Sequence, residues 1–211
     1  MRRVSQGRFI TFEGGEGAGK STQVATLVER LRLRDIEVVQ TREPGGSPGA
    51  EEIRAIALNG DAGRWSPMTE TLLMFAGRSD HLERTIRPAL EAGRWVVCDR
   101  FADSSRAYQG AGGGVPADFI ESLDAAVVGA TQPDLTLIFD LPVEVGLERA
   151  FGRGLFETRF ESKGLAFHER LRRRFLEIAQ ENADRCVIID AVGDEATVAA
   201  RVWAAVEDRL L

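Results

Sequence analysis

A glycine-rich segment near the start of the chain, residues 14–21, constrains the fold more than any other feature. It fits the pattern G-x-x-x-x-G-K-[ST], in which glycines let an anion approach the backbone and exposed amides hold phosphate groups. An apolar run (8–12) precedes it and a helical pattern (20–34) follows it, which is the expected setting. The sequence therefore predicts a nucleoside triphosphate site at Gly14, Gly15, Glu16, Gly17, Ala18, Gly19, Lys20 and Ser21. In such loops the lysine contacts the distal phosphates and the serine is a ligand of Mg²⁺.

Short apolar runs alternate with helical patterns along the rest of the chain. The runs lack polar alternation, which is typical of strands that are covered on both faces in a parallel sheet. Further strands are predicted at 37–41, 94–99, 135–140 and 185–190, and further helices at 51–59, 67–92, 118–128, 143–153, 161–182 and 195–210. We predict an α/β fold of three layers, with a five-stranded parallel sheet flanked by helices. No internal repeat or break in composition divides residues 1–211, so a single domain is expected.

Composition narrows the classes of partner and compartment. The formal net charge of −6 over 211 residues disfavours a nucleic acid polymer as partner. Cys98 and Cys186 lie within apolar runs and are expected to be buried, reduced thiols. His81 and His168 lie apart from any candidate nucleophile or ligand set. Without an apolar leader or a membrane-length segment, the expectation is a cytoplasmic protein with no membrane partner.

Polar residues follow several predicted strands, at the edge of the sheet where ligands bind. Arg42 lies in the turn 41–46, which is either a second substrate site or a solvated turn with a local ion pair. Asp99 closes the third strand, where an acidic residue beside a phosphate loop holds Mg²⁺. Asp140 and Asp190 also close apolar runs and compete for that role. We favour Asp99 because Arg100, which follows it, suits a phosphate group.

Two further groups have both a functional and a structural interpretation. Arg149, Arg153 and Arg159 surround two glycines, as in a mobile lid that brings an arginine to a transferring phosphoryl group, or as in an exposed basic helix end. Arg78 follows Met74 by four residues and Phe75 by three, so it can share a helical face with either of them. That face either packs against a flat base or belongs to the core.

Several motifs together resemble the bacterial thymidylate kinases over nearly the whole chain. They are residues 13–22, 41–46, 99–101, 104–110 and 133–136, and the lid at about 149–161. The resemblance implies transfer of the γ-phosphate of ATP to dTMP with Mg²⁺, in a homodimer formed through helices between strands two and four. It also extends the nucleotide-binding loop to Thr22.

The resemblance also implies roles for individual residues. Arg100, with Arg42 or Arg54, holds the acceptor phosphate, and Arg78 bonds the thymine. Ser104 or Ser105 and Gln109 border the base, while Tyr108 presses on the sugar and disfavours a 2′-hydroxyl. Glu16 faces the acceptor sugar or the magnesium site. The implied catalytic set is Lys20, Arg100, Glu16 and Arg153, and the implied metal set is Ser21, Asp99 and Glu16.

The sequence matches one subgroup of the family at the phosphate loop and departs from the family pattern at two other places. Some members carry an arginine directly after the residue that matches Glu16, whereas this chain has Gly17. It therefore resembles the subgroup with a catalytic lid arginine, for which Arg153 is the first candidate, ahead of Arg149 and Arg159. The thymine-stacking position holds Met74, with Phe75 one residue later, so either residue is a candidate. Phe101 replaces a frequent tyrosine or histidine.

Two other classes of function remain as alternatives. Another P-loop nucleoside or nucleotide kinase would keep the phosphate loop and lid but have a different base-side set. A P-loop ATPase or GTPase switch would hydrolyse its triphosphate without an acceptor. A GTPase would also need an Asn-Lys-x-Asp segment to read guanine, which this sequence lacks.

Overall fold

Five parallel strands form the centre of the computed structural model, which describes residues 7–61, 63–152 and 163–211. Their order across the sheet is β2-β3-β1-β4-β5. The strands are β1 (Phe9–Gly14), β2 (Val38–Arg42), β3 (Trp95–Asp99), β4 (Leu135–Asp140) and β5 (Cys186–Asp190). Strands β1 and β3, at the middle of the sheet, consist almost entirely of buried residues, because helices cover both faces.

Helices connect each strand to the next. They are α1 (Lys20–Arg32), α2 (Pro48–Leu58), α3 (Pro67–His81), α4 (Arg87–Glu91), α5 (Ala102–Ser105), α6 (Ala117–Val127), α7 (Val143–Gly152), α8 (Leu165–Glu181) and α9 (Glu195–Leu210). Two π-helical segments, Leu82–Ile86 and Arg106–Gly112, follow α3 and α5. No helix in the described part of the chain combines the length and apolar character needed to cross a lipid bilayer.

The largest hydrophobic cluster lies where α1 and α9 cover the sheet. It includes Ile10, Phe12 and Leu137 from the strands, with Leu27 from α1 and Trp203 from α9. Burying each such side chain contributes roughly 1.5–3 kcal/mol. Separate clusters join the sheet to α8 and to the α3–α4 region.

The predicted fold class is confirmed, and each predicted strand lies within two residues of an observed one. The helical pattern at 67–92 corresponds to α3, a π-helical segment and α4 in succession. Helix α5 and the following π-helical segment were not predicted, because their motif residues carry no apolar periodicity. Of the helix predicted at 161–182, residues 161–162 lie outside the described part, and α8 begins at Leu165.

The strand register brings the ends of all five strands to one edge of the sheet. Asp99 is level with Phe12 of β1 and with Arg42 of β2. Gly14 is level with Phe139 of β4, and Asp140 is level with Asp190 of β5. Because carboxyl ends of parallel strands meet at one edge, residues distant in sequence share the groove above it.

Candidate functional site

The phosphate loop follows β1 and leads into α1. Gly17 and Gly19 have φ angles of 68° and 83°, in the left-handed region that glycine adopts without strain. The Lys20 ammonium lies within the loop, where Nζ donates hydrogen bonds to the carbonyl oxygens of Gly14 at 3.1 Å and Gly15 at 2.7 Å. Burial, together with the charge of Arg100, lowers the pKa of Lys20 to about 8. The ammonium is therefore fixed at the place where a phosphate group would replace the carbonyl contacts.

The back of the loop touches the start of α7 at two glycines. A Cβ on Gly17 would overlap the carbonyl oxygen of Gly146, and a Cβ on Gly146 would overlap the carbonyl oxygen of Glu16. The backbones pack without intervening side chains, so the space that an arginine at position 17 would need is occupied by α7. This contact supplies a steric reason for glycine at position 17.

Ser21 and Asp99 supply a hydroxyl and a carboxylate at the phosphate loop. The Ser21 hydroxyl donates a 2.6 Å hydrogen bond to Asp99 Oδ2. By contrast, Asp140 accepts two hydrogen bonds from Arg172, at 2.7 and 3.2 Å, and Asp190 pairs with Arg201. Of the three aspartates considered from sequence, Asp99 is the one that accepts a hydrogen bond from Ser21 of the phosphate loop. Asp140 lines a smaller cavity on another side of the loop. The Asp99 carboxylate and the Ser21 hydroxyl are hard oxygen donors of the kind that Mg²⁺ prefers.

Arg100 lies between the loop and α5. Its φ angle is 70°, unusual for a residue with a side chain. Nη1 donates to the Gly14 carbonyl at 3.0 Å and to the Ser104 hydroxyl at 3.3 Å, and Nη2 donates to Glu16 Oε1 at 3.1 Å. The guanidinium carbon also lies 4.9 Å from the ring centre of Tyr108. These contacts fix a planar, positively charged group at the rim of the loop.

Glu16 is held between cations and the phenol of Tyr108. Burial alone would raise its pKa, but the charges of Arg100 and Lys20 and the hydrogen bond from Tyr108 lower it to about 2. Burial raises the pKa of Tyr108 well above its usual value. Glu16 is therefore a carboxylate and Tyr108 a hydrogen-bond donor throughout the physiological pH range.

A cavity of about 250 Å³ opens beside this cluster. Its lining contains nearly all the residues that the sequence suggested for an acceptor nucleotide. One set is charged or metal-binding in character: Glu16, Ser21, Arg42, Arg54, Asp99 and Arg100. The other comes from α3, α5 and the π-helical segment behind it: Met74, Arg78, Ser104, Ser105, Tyr108 and Gln109.

Met74, not Phe75, lines this cavity. Phe75 packs with Val115 and Ile120 in a separate apolar cluster, and its ring lies 4.6 Å from the guanidinium carbon of Arg78. Of the two candidates for contact with a base, Met74 is therefore the one that faces the cavity. The physical reason is the helical rotation of about 100° between adjacent residues, which turns Phe75 toward α6 when Met74 faces the cavity.

Arg78 is buried and almost fully hydrogen-bonded. Nε donates to Glu43 Oε2 at 2.8 Å, both Nη atoms donate to the Ser105 hydroxyl at 3.1 Å, and Nη2 also donates to the Phe101 carbonyl at 3.1 Å. A guanidinium has five N–H groups, so these four contacts leave one, on Nη1, with no partner among the described residues. Through that N–H, Arg78 can donate a hydrogen bond to a ligand in the cavity.

The two arginines near strand β2 differ in environment. Arg42 is 54% exposed and makes two 3.0 Å hydrogen bonds to Glu51. Arg54 is half-buried and donates to the Pro44 carbonyl at 2.7 Å; burial and the charge of Arg42 lower its pKa. Both line the same cavity as Arg78 and Arg100, so four arginines surround it.

Only part of the predicted lid lies within the described residues. Arg149 is exposed in the last turn of α7. Arg153, Arg159 and the remainder of the predicted lid up to residue 161 lie outside the described residues. Thr22, also expected at the nucleotide, is exposed in the first turn of α1.

Sequence reasoning gave no role to several buried polar residues that support the site. Glu13, fully buried at the end of β1, accepts from the backbone amides of Phe101 and Ser104 and from the Ser104 hydroxyl. Glu70 accepts a 2.8 Å hydrogen bond from the side-chain amide of Gln109. The sequence feature that could have identified them is a carboxylate at an otherwise apolar position, because a buried carboxylate requires a hydrogen-bonding partner.

The structure gives both histidines polar neighbours that the sequence did not show. His81 is fully buried and contacts Thr41 and Glu43. His168, on α8, lines a smaller cavity with Gly15 and Glu16, and burial lowers its pKa. Both lie far from these partners in sequence, so only the tertiary fold brings them to the site.

Known proteins resemble the chain along its whole length. A family model described as thymidylate kinase matches residues 12–202. Thymidylate kinase from Caulobacter vibrioides is 60% identical over 98% of this chain and 99% of its own. The protein of the same name from Afipia carboxidovorans is 53% identical over 99% and 92%. A crystal structure of thymidylate kinase from Ehrlichia chaffeensis is 32% identical, covers 94% of this chain and 97% of its own, and superimposes with a TM-score of 0.76.

Proposed function

The chain belongs to the thymidylate kinase family, and on that basis we propose that it transfers the γ-phosphoryl group of ATP to dTMP, giving ADP and dTDP. One observation carries the proposal for this chain's own residues. One cavity is lined by residues of the phosphate loop and by residues suited to hold a base, and the Arg100–Glu16 pair lies between these two parts. A P-loop protein that only hydrolyses its triphosphate has no need of the base-binding part.

The acceptor is held by charge and by shape. Arg100, Arg42 and Arg54 surround the position of the acceptor phosphate, which carries up to two negative charges. Met74 covers one face of the base, and the remaining N–H of Arg78 addresses its edge. Tyr108, fixed by its bond to Glu16, lies against the sugar.

Phosphoryl transfer then requires positioning and charge stabilisation rather than a covalent intermediate. The loop amides and Lys20 hold the donor phosphates, while Arg100 aligns the acceptor oxygen for in-line attack. Glu16 keeps Arg100 oriented and balances its charge. The lid arginine, with Arg153 as first candidate, meets the charge on the transferring group.

The donor set also fits Mg²⁺. Ser21 and Asp99 are adjacent oxygen donors next to the loop, and Glu16 supplies a second carboxylate nearby. When bound with ATP, the ion neutralises phosphate charge and orients the terminal phosphates.

The experiment is an assay of ADP formation from ATP and Mg²⁺ with each nucleoside monophosphate in turn. We expect rapid turnover with dTMP and little with the monophosphates of uridine, cytidine, adenosine or guanosine. ADP formation independent of any acceptor would contradict the proposal. Preference for another base would instead support the alternative of a related nucleotide kinase.

Alanine substitutions of single arginines then identify the lid arginine that contacts the transferring phosphoryl group. An arginine that contacts the transferring phosphoryl group is worth roughly 10³-fold or more in kcat. We expect that loss in Arg153→Ala, with smaller losses in Arg149→Ala and Arg159→Ala. Arg173→Ala is the matched control, because Arg173 is an exposed arginine on α8. Unchanged kcat in Arg153→Ala would move the role to another arginine.

We further propose that one kinase domain spans the chain, with a short lid at about 149–161, and that it acts as a homodimer in the cytoplasm. The exposed apolar side chains of Ile56, Met68 and Leu72, on or beside α2 and α3, favour a protein partner there. The free, buried thiols of Cys98 and Cys186 suit a reducing compartment. Light scattering of the purified protein tests the dimer.

A further inference from the structure

A chain of buried hydrogen bonds connects strand β2 to the base-side arginine through His81. The Thr41 hydroxyl lies 2.7 Å from His81 Nε2, and His81 Nδ1 lies 3.1 Å from Glu43 Oε1. The other oxygen of Glu43 accepts from Arg78 Nε at 2.8 Å. The three charged or titratable side chains, those of His81, Glu43 and Arg78, are between 0% and 5% exposed.

The hydrogen positions in this chain follow from the chemistry of its members. A carboxylate only accepts, so Nδ1 of His81 carries the hydrogen that faces Glu43. The Thr41 hydroxyl can donate to or accept from Nε2 and satisfies either form of the ring. Each oxygen of Glu43 therefore has its own donor, and the carboxylate is held at two points.

The position of His81 is set by packing on both sides. His81 and Arg78 lie one turn apart on α3, so both face the same loop. On the loop side, a Cβ on Gly46 would overlap both the imidazole and the Thr41 hydroxyl. The ring is thus fitted between α3 and the turn after β2, where it cannot rotate away from Glu43.

We propose that His81 is a positioning residue for dTMP recognition, acting through Glu43 to aim the remaining N–H of Arg78 at the base. The inference rests on the proposed function. Arg78 has one N–H left for a ligand, and its direction is fixed by the plane of the guanidinium. Ser105 and Phe101 hold one side of that plane, and Glu43 holds Nε. Glu43 in turn depends on His81 for its second oxygen.

Substituting His81 by asparagine or by glutamine tests the roles of its two ring nitrogens separately. His81→Asn retains a donor near Nδ1 and hence the contact with Glu43. His81→Gln retains a polar group near Nε2 and loses that contact. His81→Leu loses both. Thr85→Val is the matched control, because the Thr85 hydroxyl donates to the Gly46 carbonyl and anchors the same loop without contacting Glu43.

The measured quantities are KM for dTMP, KM for ATP, and the melting temperature of each full-length variant. We expect KM for dTMP to rise roughly tenfold in His81→Leu and His81→Gln, to remain near the wild-type value in His81→Asn and Thr85→Val, and KM for ATP to change little throughout. Equal effects of Asn and Gln, or a parallel rise in both KM values, would overturn the proposal in favour of a merely structural role.

A double-mutant cycle distinguishes an effect of His81 that acts through Arg78 from a general loosening of the fold. If His81 acts through Arg78, adding His81→Gln to Arg78→Ala should raise KM for dTMP no further than Arg78→Ala alone. Additive increases would contradict the proposal. Wild-type protein without dTMP turnover would instead contradict the proposed function, so the two failures are distinguishable.

Discussion

Arg100 and Glu16 form a partly buried ion pair in which Nη2 of the arginine lies 3.1 Å from Oε1 of the glutamate. The same oxygen accepts the hydroxyl of Tyr108. Through this one carboxylate, the arginine proposed to orient the acceptor phosphate is coupled to the tyrosine proposed to contact the sugar. Under that proposal, the phosphate loop positions acceptor-binding residues as well as the donor phosphates.

Replacing Arg100 by lysine should disable this coupling. A lysine retains the charge but cannot contact the Gly14 carbonyl, Glu16 and a phosphate simultaneously from a planar fork. We expect kcat/KM for dTMP to fall roughly a hundredfold, equivalent to about 3 kcal/mol, as measured by steady-state kinetics. Arg42→Lys is the comparison, since Arg42 is exposed and paired with Glu51; equal losses in both variants would refute a special role for Arg100.

Glu13 should make the stability of the fold depend on pH. Burial, reinforced by the charge of Asp103, raises its pKa from 4.5 to about 7. The folded state therefore holds this proton more tightly than the unfolded chain. Its contribution to the free energy of unfolding is complete below pH 4.5 and is lost as the pH rises through 7, a change of about 3 kcal/mol.

The measurement is urea denaturation of wild type and Glu13→Gln between pH 5 and pH 8. Glutamine keeps an acceptor for the amides of Phe101 and Ser104 but does not titrate. The variant should lose less stability over this interval than wild type. Glu177→Gln, at an exposed carboxylate, should retain the wild-type slope; identical slopes in all three proteins would contradict the assignment to Glu13.

Gly17→Ala should damage the phosphate loop by steric overlap. The added Cβ would meet the Gly146 carbonyl while φ stays at 68°, so the loop must move away from α7. We expect KM for ATP to rise at least tenfold, by roughly 1.4 kcal/mol or more. Gly114→Ala isolates the backbone effect, because Gly114 has a φ of 76° but open space around its Cβ position; a similar KM in both variants would exclude the overlap as the cause.

Asp103→Asn should destabilise the protein without touching the cavity. Asp103 is buried and accepts from Arg185 at 2.7 and 3.1 Å and from Arg106 at 3.1 Å. Removing its charge leaves the partly buried Arg185 without a carboxylate partner among the described residues, which costs about 3 kcal/mol. Arg106 keeps its contacts with Glu121 and Asp124. Chemical denaturation measures the loss, and a change below 1 kcal/mol, as for a surface pair, would show that the network relaxes.

The sequence determined the parts of this protein that depend on local pattern. The spacing of glycines, lysine and serine defined the phosphate loop, and five short, near-continuous runs rich in β-forming residues defined the strands of a parallel sheet. Once the strands were parallel, their carboxyl ends had to meet, so Arg42, Asp99 and Arg100 were predictable as neighbours. These inferences need only periodicity and the geometry of regular elements.

Tertiary structure decided which of the equivalent residues face the cavity and what holds them there. Met74 and Phe75 are both apolar neighbours on one helix, and the rotation of α3 against α6 separated their roles. Asp99, Asp140 and Asp190 follow similar strands, and arginines on α8 and α9 engaged the latter two. His81 and Glu13 gain their partners from segments 38 and 88 residues away, a distance over which side-chain contacts are set by packing of the whole fold rather than by local sequence.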